Sequence, residues 1–185
     1  MRYEVEQKHR LHSASVSDFQ ARLEARGAKL GESIRQSDQY FAHPSRDFSK
    51  TDEALRIRTV GDASFITYKG PKLDTAAKTR HELELPLHPN DSDGSQLREI
   101  LRLLGFSAVA VVHKKRREFQ LKHGSYDVVG AYDDVDGLGL FVELELMADE
   151  TSLDQAQRAV SELAEELALG PSIRQSYLEM LINTP

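Results

Sequence analysis

The sequence predicts an α+β fold: an antiparallel, eight-stranded β-barrel, closed or nearly closed, with helices packed outside. Three observations predict it. Strand-like segments outnumber helical ones, by roughly eight to four, and turn signals join most of them as hairpins. Paired charges at i and i+2 recur in five of these segments, a spacing that puts both side chains on one face of a strand. So many ionisable groups cannot sit in a dry core, but they can line a wet lumen whose outer wall packs on helices.

Composition narrows the class. The chain has 185 residues and is read as one domain, 1–185, large enough for a real core. It has no cysteine, which excludes a disulfide framework and a thiolate metal site. The formal net charge of −6 argues against broad nucleic-acid binding, though not against a local basic pocket for a small polyanion. No apolar run reaches the ~20 residues that span a bilayer, and the first residues form no apolar signal region. A cytoplasmic protein with no membrane or nucleic-acid partner, monomer or homodimer, is expected.

The elements follow in order. Met1 to Leu11 reads as a strand with Glu4, Glu6 and Lys8 on one face. Ser15 or Ser17 can cap a helix that buries Phe19 and Leu23 and ends at Gly27. Leu30 to Ala42 is a long strand, and His43 to Asp52 a loop. Ala54 to Val60 and Ala63 to Lys69 form a hairpin through Gly61-Asp62. Lys72 to Ala77 is a polar loop, and Lys78 to Leu87 another strand. Asp91 to Leu104 is a helix with Leu97, Ile100, Leu101 and Leu104 as its apolar stripe. Ser107 to Leu121, Tyr126 to Val135 and Leu140 to Met147 are strands. Leu153, Ala156, Val160, Leu163 and Leu167 mark the last long helix, and Ser172 to Ile182 a short one.

On the proposed inner face the cations are Lys8, Arg56, Arg58, Lys69, Arg80, Lys114 and Arg116. The acids are Glu4, Glu6, Glu82, Glu84, Glu143 and Glu145, with Asp133. Arginine forks and lysine point charges suit phosphate oxygens. Carboxylates beside a phosphate need neutralising, and Mg²⁺ or Mn²⁺, which prefer oxygen ligands, would do so. The combination points to metal-assisted phosphoryl chemistry. Any one charged pair is more simply a solvated strand face whose charges pair across strands; five together are not. The histidines lack HxH or HExxH spacing, so zinc is not expected. Gly137-x-Gly139 joins two strands and is a turn rather than a dinucleotide loop. Arg174 and Tyr177 are expected as packing or rim residues.

Glu4-x-Glu6-x-Lys8 resembles the ExExK signature of the CYTH superfamily, the triphosphate tunnel metalloenzymes. Asp38-Gln39-Tyr40-Phe41, Arg46-Asp47-Phe48, Thr51 to Arg58, Thr67 to Lys72 and Lys78 to Glu84 resemble its class IV adenylyl cyclase branch. Lys114-Lys115-Arg116, Asp133 to Gly139 and Phe141 to Glu145 follow in the family's order. The resemblance implies Glu4, Glu6, Glu143 and Glu145 as metal ligands for Mg²⁺ or Mn²⁺. It implies Glu4, Glu6, Lys8 and Asp133 as catalytic residues, and Lys8, Arg56, Arg58, Lys69, Arg80, Lys114 and Arg116 as the triphosphate holders. Lys115 and Arg117 remain an alternative register, and Asp134-Val135-Asp136 stands where the family commonly has glutamates. The implied activity is conversion of ATP to cyclic AMP and pyrophosphate. A triphosphatase acting on thiamine triphosphate, inorganic triphosphate or a nucleotide is the alternative, and a non-catalytic polyphosphate- or nucleotide-binding module the second.

Overall fold

The computed structural model describes residues 2–71 and 78–183, so the expected loop at 72–77 lies outside the described residues. The strands are β1 (Arg2–Arg10), β2 (Lys29–Ala42), β3 (Ala54–Val60), β4 (Ala63–Lys69), β5 (Lys78–Arg80), β6 (Glu82–Pro86), β7 (Ser107–His123), β8 (Tyr126–Val135) and β9 (Gly139–Asp149). All pair antiparallel in one sheet of order β5-β1-β9-β8-β7-β2-β3-β4-β6. The two outermost segments are consecutive in the chain, with only His81 between them. β5 pairs with β1 through Glu4↔Arg80, and β6 pairs with β4 through Lys69↔Glu82. A single bent strand that changes partner at His81 therefore joins both edges, and the sheet closes as an eight-stranded barrel. Closure leaves no long open edge.

Side-chain alternation sorts charge from apolar bulk. On β9, Glu143 and Glu145 point inward while Val142, Leu144 and Leu146 point outward into the core. That core is completed by α1 (Val16–Ala25) and α4 (Leu153–Glu166). α4 supplies Ala156, Val160, Leu163 and the following Leu167, all at or near zero exposure, at the expected helical spacing. Phe19 and Leu23 of α1 are buried in the same cluster. Phe119 meets Phe19 edge-on, with ring centroids 6.0 Å apart. Its ring lies directly on Gly130, where an added Cβ would fall 2.0 Å from Cζ, so only glycine fits there.

A second outer layer is α3 (Ser95–Leu103), over β2 and β3. It starts later than the sequence suggests. Pro89–Asp91 is a 3-10 turn, and the Asp91 carboxylate accepts from the amides of Gln96 and Leu97. Leu101 is buried and Leu97 partly so, but Ile100 and Leu104 are 51% and 64% exposed, because the helix presents only a narrow strip to the sheet. The expected loop at 43–52 contains one helical turn, α2 (Phe48–Thr51), with the Asp47 carboxylate accepting from the Ser49 amide.

The expected helix at Ser172 to Ile182 is shorter, α5 (Tyr177–Ile182), opened by a reciprocal cap between Ser176 and Glu179. The segment before it straps onto β1: the Ile173 amide donates to the Lys8 carbonyl (2.6 Å), and Ser172 bridges His9. The His9 Nδ1 lies 2.6 Å from the Gly170 carbonyl, and burial holds its pKa below the usual histidine value. α5 thereby sits across one end of the barrel, where Tyr177 and Met180 pack with Tyr40, Val112, Val135 and Phe141. Among the described residues no helix is long and apolar enough to cross a membrane.

Candidate active site

The lumen holds a cavity of about 830 Å³. Of the predicted site residues, Glu4, Glu6, Lys8, Arg56, Arg58, Lys69, Arg80, Lys114, Arg116, Glu143 and Glu145 all line it. Registers place them: Glu6 stands opposite Glu145, Lys8 opposite Glu143, and Arg116 opposite Asp133. The alternative register on β7 is settled, since Lys115 and Arg117 are exposed on the outer wall and Arg117 donates to the Gly31 carbonyl.

Glu4, Glu6 and Glu145 form one group, each with a carboxylate oxygen within 4.8 Å of the others. Burial, then the neighbouring Glu4, pushes the Glu145 carboxyl up to about 8. Burial also raises Glu4, against the pull of Lys69, whose Nζ is 3.2 Å away. Glu145 therefore favours its protonated form at neutral pH unless a cation takes the proton's place. Oxygen-only donors suit a hard divalent ion, so the trio fits the metal that the family reading implies. Glu143, expected among these ligands, stands apart. It is drawn to the cations instead, in a short bond from Arg116 and with Lys8 Nζ at 3.9 Å.

The cations are held from behind by buried acids. Asp38, which sequence reasoning quoted in a motif but did not place in the site, accepts from Arg58 Nε (2.7 Å) and Nη2 (2.8 Å) and from Arg56 Nη1 (3.2 Å). Burial alone would raise its pKa, but Arg56 and Arg58 hold it well below the carboxylate range. Its register, Asp38↔Arg58 and Tyr40↔Arg56, was the signal that could have found it. Asp133, on the other side of β7, plays the same part. Expected among the reacting groups, it is fully buried behind the cations. It accepts from Arg116 Nε (2.8 Å) and Nη2 (2.6 Å), from Tyr177 Oη (2.9 Å) and from Lys114 (3.4 Å). An acid so occupied orients its neighbours and has no lone pair aimed at a substrate.

Lys69 bonds Glu82 and Glu4, and these anions keep it protonated despite burial. Burial and then Arg116 push Lys114 down to about 8, with Asp133 opposing. Nε of both Arg56 and Arg80 is buried without a hydrogen-bond partner, which suits a cage built for a ligand's oxygens. Tyr177, expected as a packing or rim residue, packs in the cluster at the end of the barrel and also faces the site. Its ring lies 4.1 Å from Lys8 Nζ and 5.2 Å from Lys114 Nζ while its hydroxyl holds Asp133. Nothing in the sequence distinguished it from the other tyrosines.

Fold and site together define an antiparallel barrel with a charged lumen, three acids gathered at one place and cations paired with further acids along the rest. Residues 2–177 match the CYTH domain, and the chain belongs to that family, whose members are metal-dependent enzymes. It is 38% identical over 161 residues to a Methanocaldococcus jannaschii protein with the provisional name adenylate cyclase, covering 85% of this chain and 87% of that one. It is 28% identical over 172 residues to the adenylate cyclase CyaB of Aeromonas hydrophila, covering 91% and 82%. A solved protein of Pyrococcus horikoshii superposes with a TM-score of 0.84 at 34% identity, covering 97% of this chain and 98% of the other.

Proposed function

We propose that this protein is an adenylyl cyclase that converts ATP to cyclic AMP and pyrophosphate with Mg²⁺ or Mn²⁺. The observation that carries the reading is the division of one lumen into a carboxylate trio and a set of cations braced from behind. Carboxylates and cations nearly balance along the lumen, so a polyanion gains little until a metal occupies the trio. Two relatives that bear the name adenylate cyclase support the choice of reaction.

Glu4, Glu6 and Glu145 would hold the metal, which supplies charge neutralisation and acidifies the ribose 3′-hydroxyl. Arg56, Arg58, Lys114 and Arg116 bind the β- and γ-phosphates and stabilise the charge that collects on pyrophosphate as it leaves. Their bracing by Asp38 and Asp133 fixes them before substrate arrives, so little reorganisation accompanies the reaction. The 3′-oxygen bonds to the α-phosphorus, the bond from that phosphorus to the bridging oxygen breaks, and the hydroxyl proton passes into the carboxylate-lined lumen. Holding the triphosphate so that this oxygen lies in line is the chain's main contribution.

A second reading has one specific observation behind it. Lys114 is pushed down to about 8 by burial and Arg116, so a minor unprotonated fraction exists at neutral pH to take a proton from water attacking a terminal phosphate. That would make a triphosphatase of the same cage. Product analysis with ATP, thiamine triphosphate and inorganic triphosphate decides between them. Cyclic AMP with pyrophosphate supports the cyclase. Orthophosphate without cyclic AMP supports the hydrolase.

A further inference from the structure

The cavity continues beyond the charged lumen and changes character there. Towards one end it is walled by the β2–β3 connection and by α5, and Ala54 at the start of β3 packs in the same cluster as Leu178 of α5. Arg46, Phe48 and Glu53 line the first wall, and Leu178 and Ile182 the second. There the lining mixes Phe48, Leu178 and Ile182 with Arg46, Asp47 and Glu53, a surface that suits the flat, polar-edged base of a nucleoside better than a phosphate.

Arg46 is half-exposed yet fixed. Its guanidinium carbon lies 5.4 Å from the centre of the Phe48 ring, and its Nη1 is 3.2 Å from Glu53 Oε1. Glu53 is itself immobilised by hydrogen bonds from Tyr68 Oη (2.5 Å) and Thr51 Oγ1 (2.6 Å), and its side chain is 4% exposed. These bonds hold its carboxylate below the ordinary pKa, so it stays charged opposite Arg46. Phe48 is packed against the α3 cluster and cannot swing away. The outcome is a guanidinium held over an aromatic ring, in a cavity that Leu178 and Ile182 of α5 also line. A planar guanidinium stacks on aromatic heterocycles, whereas an ammonium does not.

We infer that Arg46 is a specificity-determining residue: its guanidinium is the stacking platform for the base of a nucleoside triphosphate, with Leu178 and Ile182 as the other wall. This rests on the proposed reading of the lumen as a triphosphate site, and it adds where the organic group of the substrate lies.

Titration calorimetry of the full chain with α,β-methylene-ATP and with inorganic triphosphate tests it. Arg46→Lys keeps the charge and removes the plane. The ratio of the two affinities should fall by about tenfold, ~1.4 kcal/mol, with the inorganic triphosphate constant nearly unchanged. Ile182→Ser, on a residue 57% exposed, should lower the same ratio in the same direction. An Arg46→Lys protein that discriminates as the wild type does, or one that weakens on both ligands equally, overturns the assignment. Failure of the wild type to make cyclic AMP while this ratio still falls would remove the cyclase reading and leave the base platform standing. A wild type that binds neither ligand removes the triphosphate reading and the platform with it.

Discussion

Replacing Glu145 by glutamine should stabilise the metal-free protein and weaken its response to metal. Glu145, Glu4 and Glu6 bring carboxylate oxygens within 4.8 Å of one another. Two unit charges at that separation repel by about 3 kcal/mol at an effective dielectric constant of ~20. Lys69 offsets part of this at Glu4, and water in the cavity screens more, so about 2–3 kcal/mol is expected from removing Glu145's charge at pH values above about 8, where it is ionised. In a chain of this size that is ~4–12 °C in Tm. The sign follows from the titration. Glu145 is raised from the ordinary glutamate value to about 8, so between those values the folded protein holds a proton that the unfolded chain has lost. Stability is therefore full below the lower value and falls as pH rises towards about 8. The wild type in chelator should show that decline, and the glutamine variant should be flatter. Mn²⁺ at pH 8 and a hundredfold excess over Kd should stabilise the wild type by ~2.7 kcal/mol, seen as a higher Tm, and the variant far less. Thermal unfolding followed by circular dichroism across pH, with and without Mn²⁺, measures both effects. Equal pH slopes for the two proteins, or equal gains from Mn²⁺, would refute the crowding argument.

Three other outcomes follow from the same contacts. Asp38→Asn leaves Arg56 and Arg58 buried without their shared anion, and should cost about 3–5 kcal/mol in denaturant titration while weakening triphosphate binding. Gly130→Ala forces the Phe119 ring out of its seat between β8 and Phe19; a loss of at least ~1–3 kcal/mol is expected, and a smaller loss would mean that the ring has room to move. Lys114 is lowered from 10.5 to about 8, so the unfolded chain binds the extra proton and stability should rise between those values, on the order of 3 kcal/mol in full; Lys114→Met should lack that rise in pH-dependent unfolding.

The barrel was legible because charge repeats with the strand period. β3 and β4 have the bounds that the alternation and the Gly61-Asp62 turn suggested. The change of partner at His81 was not legible. Arg80 and Glu82 keep the i, i+2 pattern unbroken across it, and a side-chain pattern carries no record of which strand lies alongside. The site was legible as a list of inward residues and not as a set of bonds. Glu143 and Glu145 are indistinguishable by spacing, and only the register that sets Lys8 and Arg116 beside Glu143 separates their roles. α2 escaped because four residues are too few for periodicity, although Asp47-x-Ser49 offered a cap. The stripe on α3 misled over Ile100 and Leu104, because apolar spacing tells which face could be buried and not how wide a strip the sheet will cover.

The pairing of β1 with β9 has a consequence for synthesis. Arg2 lies opposite Asp149 and Arg10 opposite Phe141, and Lys8 is tied further on to Ile173. At ~5–20 residues per second, a ribosome needs roughly 7–30 s to deliver the partner of β1 after β1 has emerged. Throughout that interval the lumen cannot form, and its charged side chains remain in water, where they oppose premature collapse. The same residues that would hold a triphosphate in the finished barrel thus keep the nascent amino-terminal half soluble. Barrel closure and site assembly become one late event, so a chain stalled before β9 should carry no partial activity.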